Sequence, residues 1–305
     1  MEIFPIAIVW IVLGLIIVEC ALGAFHDLPV YEVKDTFASL VIGSISLAVN
    51  LGYKGFTFHL LSVAYHYSLF DFGKSPLVWL AAFLISDFIH YWFHWLGHKS
   101  RFFWAAHMVH HSSSRYNFAT AIRTPVMNFS YRFLFNLPMC FLGFRPEMVM
   151  VAESAIFLYN FWLHTQMIGK LGWFEYIFNT PSHHRVHHGK DSKYIDKNYG
   201  GILIIWDRMF GTFQGEAERP TYGLMKEIKS HNPIIIIFKE WREMMTEAAA
   251  SNSLRDALII LFRFQGRNSN SNATERCSSN LNDSLMSGSY SPTLIAKPEN
   301  KKINL

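Results

Sequence analysis

The sequence predicts an all-α protein: a multispan membrane helical bundle with a cytosolic, histidine-rich helical cap that holds a dimetal site. Three observations lead there. The 305-residue chain is 51% hydrophobic and only 16% charged, where an ordinary soluble domain carries about 25% charge, and its mean hydropathy is +0.16. Long uncharged runs recur through its first half. Fifteen histidines are present, and most gather in a few short stretches, one of which places His183, His184, His187 and His188 within six positions.

The elements follow in order. Residues 3–18 carry no charge until Glu19 ends the run. No basic segment precedes it and no small-residue cleavage site follows, so it reads as an uncleaved membrane helix and not as a signal peptide. Residues 36–53 and 55–70 form a second and a third apolar span, and residues 76–86 begin a fourth that runs into Asp87 and the first histidines. Residues 126–144 and 148–163 are further candidates, interrupted by Asn128 and Arg132 in one and by Glu153 and Asn160 in the other. Polar groups at such depth must face protein or a cavity, and four to six spans are expected. The link between the first two spans, with Glu19, Asp27, Glu32, Lys34 and Asp35, is acidic, whereas residues 99–123 and 170–208 are rich in Lys and Arg. The positive-inside rule puts the latter segments, and their histidines, in the cytosol. That means the endoplasmic reticulum in a eukaryotic host and the inner membrane in a bacterial one.

Four regions result: N-terminal membrane helices over 1–75, a histidine-bearing catalytic domain over 76–215, an interfacial amphipathic segment over 216–265, and a Ser/Asn-rich tail over 266–305 whose composition reads as disordered. The net charge of +4 comes without a dense Lys/Arg stripe, which suits anionic headgroups and argues against nucleic acid. Cys20, Cys140 and Cys277 are scattered and odd in number, so no disulfide framework follows.

The histidines carry the chemistry. Asp87, His90, His94 and His98 recur at helical spacing on one face. His107, His110 and His111 form a second cluster and His183, His184, His187 and His188 a third, while His164 closes an apolar run. Side chains three and four apart on a helix are about 5–6 Å apart at Cβ, so two imidazoles can converge on one cation. Each doublet adds a ring turned to another side, suited to a second ion. Eight or nine ligands are too many for one ion and enough for two. Imidazole-rich sites favour Zn, Cu, Fe or Ni over Mg or Ca; redox chemistry would favour iron, and zinc would imply hydrolysis or structure. Haem held by two histidines would leave the doublets unexplained. The isolated His26, His59, His66 and His231 read as ordinary structural residues.

The pattern HxxxH, HxxHH, HxxHH, here His94/His98, His107/His110/His111 and His184/His187/His188, resembles the membrane fatty acid hydroxylase and sterol desaturase superfamily. The surrounding text agrees: "YWFHWLGH", "WAAHMVHHSSSRYNFATAIR", "FWLHT" and "NTPSHHRVHHGKDSKYIDKNYGGILIIWDRMFGTF". The last two are most similar to its alkylglycerol monooxygenase branch. The resemblance implies two Fe ions held by the eight box histidines with His164 as a ninth ligand. His183 is a further candidate, as ligand or support; His90, standing where relatives carry tyrosine, is set aside. Lys99 departs from the acidic residue expected of ether-cleaving relatives. Asp87, Asn117 and Arg123 are candidates for supporting the site: Asp87 by orienting an imidazole, Asn117 and Arg123 by holding a headgroup or tying loops. Gly200 and Gly201 suggest a tight turn or close backbone approach. Implied partners are a bilayer lipid substrate, O2 and an external electron donor, with tetrahydrobiopterin as the reductant of that branch. The implied reaction is hydroxylation at the ether-linked carbon of alkylglycerols, releasing fatty aldehyde. A sterol C-5 desaturase or fatty acyl hydroxylase is the alternative within the superfamily, and a metal transporter or sensor the alternative outside it.

Overall fold

The computed structural model of the chain describes residues 3–264, which contain eleven α-helices, two short 3-10 turns and, among the described residues, no strand beyond three isolated bridges. The helices are α1 (Ile3–Phe25), α2 (Val33–His66), α3 (Pro76–Lys99), α4 (Arg101–His111), α5 (Phe118–Ala121), α6 (Phe133–Leu142), α7 (Pro146–Trp162), α8 (Pro181–His187), α9 (Ile205–Phe210), α10 (Pro233–Ala249) and α11 (Leu254–Phe262). Residues 266–305, with the Ser/Asn-rich tail and Cys277, lie outside the described residues.

Local chemistry sets several starts. The Ser75 hydroxyl accepts from the Val78 backbone N–H at 3.4 Å, and Pro76 fills the first helical position of α3, where a missing N–H costs nothing. The pair Asn232 and Pro233 begins α10 in the same way. Ser100 positions the site: its extended backbone ends α3 and starts α4 at once, so α4 turns back and packs on α3.

The apolar runs are distributed differently from the sequence expectation. Residues 36–53 and 55–70, expected as two spans, lie almost wholly within the 34-residue α2, which at about 1.5 Å per residue exceeds the ~30 Å hydrocarbon layer. Lys54 and Gly55 sit inside that helix without breaking it, because neither removes a backbone hydrogen bond. Residues 126–144 hold a 3-10 turn and the ten-residue α6, and residues 148–163 fall largely in the 17-residue α7. Their polar interruptions pair within the protein: Arg132 donates to Glu153 at 2.5 Å and approaches His90 Nδ1 at 3.0 Å. Among the described residues two helices, Val33–His66 and Pro76–Lys99, are long and apolar enough to cross a membrane, with Val9–Phe25 and Phe133–Leu142 as shorter apolar helices.

Two cores hold the bundle. Leu61, Ala82, Met139, Cys140, Phe144, Met148 and Val149 pack where α2, α3, α6 and α7 meet. Ala38, Ile42, Val109, Ile236 and Ile237 join α2, α4 and α10. Gly143 lets α6 close onto the α2–α3 loop: its φ is +125°, and a Cβ there would lie 2.3 Å from the Phe70 carbonyl oxygen.

Candidate metal centre

The turn at Ser100 lays the last stretch of α3 beside α4, and the histidines on the facing sides meet. His94 and His98 from α3, His107 and His111 from α4 and His187 from α8 form one group. His110, one residue and about 100° round the helix from His111, faces a second group made with His164 after α7, His184 from α8 and the adjoining His188. Within each group the candidate ligand nitrogens all lie within 4.8 Å of one another. The Nε2 atoms of His94 and His107 are 3.2 Å apart, those of His107 and His111 3.0 Å, and those of His111 and His187 3.1 Å. In the second group His164 Nε2 stands 3.1 Å from both His110 Nε2 and His184 Nε2. The groups are neighbours: the rings of His111 and His188 stack at 4.2 Å. Eight of the nine are at most 8% exposed.

The proton count of these rings identifies what suits them. A neutral imidazole has one N–H and one lone pair. His94, His187 and His164 each have Nδ1 within 2.9 Å of a backbone carbonyl, those of Tyr199, Lys197 and Asn160. A carbonyl accepts, so Nδ1 carries the proton and Nε2 turns a lone pair inward. Metal-binding imidazoles are oriented in this way. Burial, and the neighbouring rings, push His107, His110, His111, His184, His187 and His188 well below their usual range, and His164 to about 4. Neutral, inward-facing nitrogens packed at about 3 Å repel one another unless protons or cations lie between them, and ligand nitrogens about 2.0–2.1 Å from one ion would lie no more than ~4.2 Å apart. Each group is thus a donor set that could hold a metal ion.

The surroundings bear on several expectations. Asp87 orients no imidazole: its carboxylate accepts from the backbone N–H groups of Ile202 and Leu203 at 2.7 and 3.1 Å and from Trp206 Nε1 at 2.9 Å. It anchors the glycine turn whose neighbouring carbonyls hold His94 and His187. Gly201 is the close approach that its pairing with Gly200 suggested: a Cβ would meet Asp87 Oδ1 at 2.7 Å and His90 Cδ2 at 2.9 Å. Asn117 and Arg123 tie loops. The Asn117 amide donates to the Val30 carbonyl, and Arg123, 1% exposed, donates to Asp35, Ser39 and Ser112. His183 stands in neither group and lies 3.8 Å from Glu175. Lys99 pairs with Asp196 at 2.6 Å.

Other supports were not visible in the sequence. Arg185 grips Glu216 with two 2.7 Å hydrogen bonds and reaches the carbonyls of Thr165 and Ile168, fixing α8 against the segment after His164. Asp207 accepts from the backbone N–H groups of Tyr199 and Gly200, each at 2.7 Å. The Tyr116 ring stacks on His164 at 5.5 Å. Backbone carbonyls leave no mark in a sequence, and single arginines or tyrosines beside a motif have many possible uses.

Comparison with known proteins agrees with this geometry. Residues 79–212 match the fatty acid hydroxylase family model, an interval that contains all nine clustered histidines. Alkylglycerol monooxygenase from Homo sapiens is 38% identical over 242 residues, 78% of this chain and 54% of that protein. The Danio rerio protein of the same name is 42% identical over 221 residues, 71% of this chain and 49% of its own length. Ornithine lipid hydroxylase OlsE from Rhizobium tropici is 28% identical over 182 residues, 57% of this chain and 54% of that protein. The chain thus spans about half the length of the curated relatives it matches. No solved structure matches it. The histidine boxes fold together inside residues 79–212, which match the fatty acid hydroxylase family model, and the chain is similar to alkylglycerol monooxygenases over 71–78% of its own length.

Proposed function

We propose that the chain is an O2-dependent lipid monooxygenase, holding two iron ions between its nine clustered histidines and hydroxylating the ether-linked carbon of an alkylglycerol. One observation carries this reading: two adjacent groups of buried imidazoles, their nitrogens converging, at the end of an apolar helix. Nitrogen ligands alone would also suit zinc or copper; the oxidative chemistry named for the relatives favours iron. When bound, a pair of reduced iron ions supplies the O2 chemistry that an unactivated C–H bond requires.

The chain's own residues position and exclude. The carbonyls of Tyr199, Lys197 and Asn160 fix three of the rings. Tyr199 and Tyr116, both fully buried, close the sides against water. The helices α1, α2 and α3 expose Trp10, Ile17, Phe37, Leu51, Leu77 and Leu80, apolar side chains suited to lipid surroundings. A lipid can reach the histidines from such surroundings without carrying its tail into water, which would cost about 0.8 kcal/mol per methylene. In this reading the histidine-bearing cap faces the cytosol, as the basic segments around it suggest.

The overall reaction places one oxygen atom of O2 on the substrate carbon and releases the other as water, with two electrons from an external donor. Hydroxylation at an ether carbon gives a hemiacetal, which falls apart to a fatty aldehyde and glycerol. The resemblance to alkylglycerol monooxygenases favours a tetrahydropterin as that donor.

Purified protein is expected to hold about two irons per chain and to release fatty aldehyde from an alkylglycerol when a tetrahydropterin is supplied. His187→Ala and His110→Ala should each remove turnover while the protein still enters the membrane. Protein with no iron, or with one haem, overturns the reading. Iron-loaded protein that hydroxylates acyl chains or desaturates sterols and leaves alkylglycerol untouched moves it elsewhere in the family.

A further inference from the structure

A cavity of about 220 Å3, whose lining includes none of the clustered histidines, opens between the α1–α2 loop, the turn after α4 and the segment after α9. Leu28 and Val30 give it an apolar wall; Arg115, Arg219 and Tyr222 stand among its polar lining, and no acid lines it. Of the acids near Arg219 and Tyr222, Glu216 pairs with Arg185, Asp191 accepts from Thr221 and Glu218 pairs with Lys193.

The cationic groups, by contrast, are largely free. Among the described residues Arg219 makes no hydrogen bond or ion pair, and it is exposed. Arg115 spends Nη1 on the Pro29 carbonyl at 2.7 Å, yet its buried Nε has no partner. The buried Tyr222 hydroxyl has none either. Buried donors left unpaired are rare and unfavourable, and two on residues that line one cavity, beside a free guanidinium, call for an acceptor. Two positive charges and a phenol, with no acidic lining residue, call for an anion. A carboxylate offers two oxygens, whereas donors from three separate segments are better met by the three of a phosphate ester. The apolar wall leaves room for its organic part.

We propose that this cavity binds a phosphate ester, held by Arg115 and Arg219 and by a hydrogen bond from the Tyr222 hydroxyl. Tyr222 is well placed for a fixed role. It pairs with Gly189, directly after His188, and its ring stacks at 4.9 Å on Tyr116, which stacks in turn on His164. The bound ester would sit two rings from the second histidine group. The inference goes beyond the monooxygenase reading and needs no metal. The ester could be a lipid headgroup or a soluble metabolite, since both present the same chemistry to these donors.

Titration calorimetry on the detergent-solubilised full chain tests it, with glycerol 3-phosphate as probe and glycerol as control. Saturable binding of the phosphate ester alone is expected. Arg219→Ala should weaken it tenfold or more, and Tyr222→Phe, which keeps the stacked ring, severalfold, with melting temperature and metal content unchanged. Displacement by vesicles carrying lysophosphatidate at lower concentration than by free glycerol 3-phosphate assigns a lipid headgroup; displacement by the soluble ester alone assigns a metabolite. No saturable binding of either probe, or binding untouched by both substitutions, overturns the site. Metal analysis of the same samples separates this outcome from failure of the iron reading.

Discussion

At the scale of single residues, the supports of the centre matter as much as the histidines. Asp87 touches no candidate ligand, yet it receives three N–H groups from the segment that follows the carbonyls of Lys197 and Tyr199. Asp87→Ala strands those donors, each costing about 1–3 kcal/mol when buried and unpaired, so a loss of roughly 3 kcal/mol or more is expected in chemical denaturation. The same change should weaken metal binding by about 10–100-fold, as loss of an outer partner does, read by equilibrium dialysis. Unchanged metal affinity in a destabilised variant would show that the turn does not position the rings. Gly201→Ala acts from the other side of the same contact. Its Cβ would press on Asp87 and His90 at under 3 Å, an overpacking expected to cost about 1–3 kcal/mol, with Gly215, which has open space around it, as the neutral control.

At the scale of elements, the centre depends on α4 keeping its place on α3, and α10 is the clamp on its outer face. Arg101, the first residue of α4, has a side chain 4% exposed and donates to Glu240 and Glu247 of α10. Breaking a buried ion pair by removing one partner costs about 3–5 kcal/mol. Glu247 is half exposed at 49%, so about 2–3 kcal/mol is the expected loss for Arg101→Ala. Glu247→Gln should cost under about 1 kcal/mol. Hydrogen exchange over residues 233–249 should rise in the first variant and hold steady in the second. A fast-exchanging α10 in the parent protein would refute the clamp. The elements also show what sequence reading reaches. The apolar character of α1, α2 and α3, the helical face of His94 and His98 and the amphipathic α10 were legible, because periodicity and composition are local properties. The fusion of two expected spans into α2 was not, since a run of apolar residues does not show where a helix ends unless a breaker marks it. Nor was the inward pairing of Arg132 with Glu153 fixed by sequence, because partners 21 residues apart meet only through the packing of α6 on α7. The division of His110 and His111 between two groups followed from the doublet. Which member joined which ring set needed the fold.

At the scale of the whole molecule, a cluster of neutral imidazoles buried above an apolar bundle makes stability depend on pH in a stated direction. Unfolded, these rings titrate near ~6.5, while in the folded chain His164 resists protonation down to about 4 and six others, His107, His110, His111, His184, His187 and His188, are lowered well below their usual range. As the pH falls from about 6.5 toward 4 the unfolded chain takes up more protons than the folded one, so the metal-free protein loses stability over that window. Asp207 works against this. Burial pushes its carboxyl up to about 6, so the stability it contributes is greatest below about 4 and is lost as the pH rises through 6. Asp207 alone does not offset the seven rings, which should prevail. Metal-stripped protein in detergent is therefore expected to melt at a lower temperature at pH 5 than at pH 7.5. Metal-loaded protein should show a steeper fall, because protons then also compete with the ions for the same nitrogens. A metal-free protein that melted higher at pH 5 would mean that these rings are charged in the fold, and a charged imidazole has no lone pair left to give a cation.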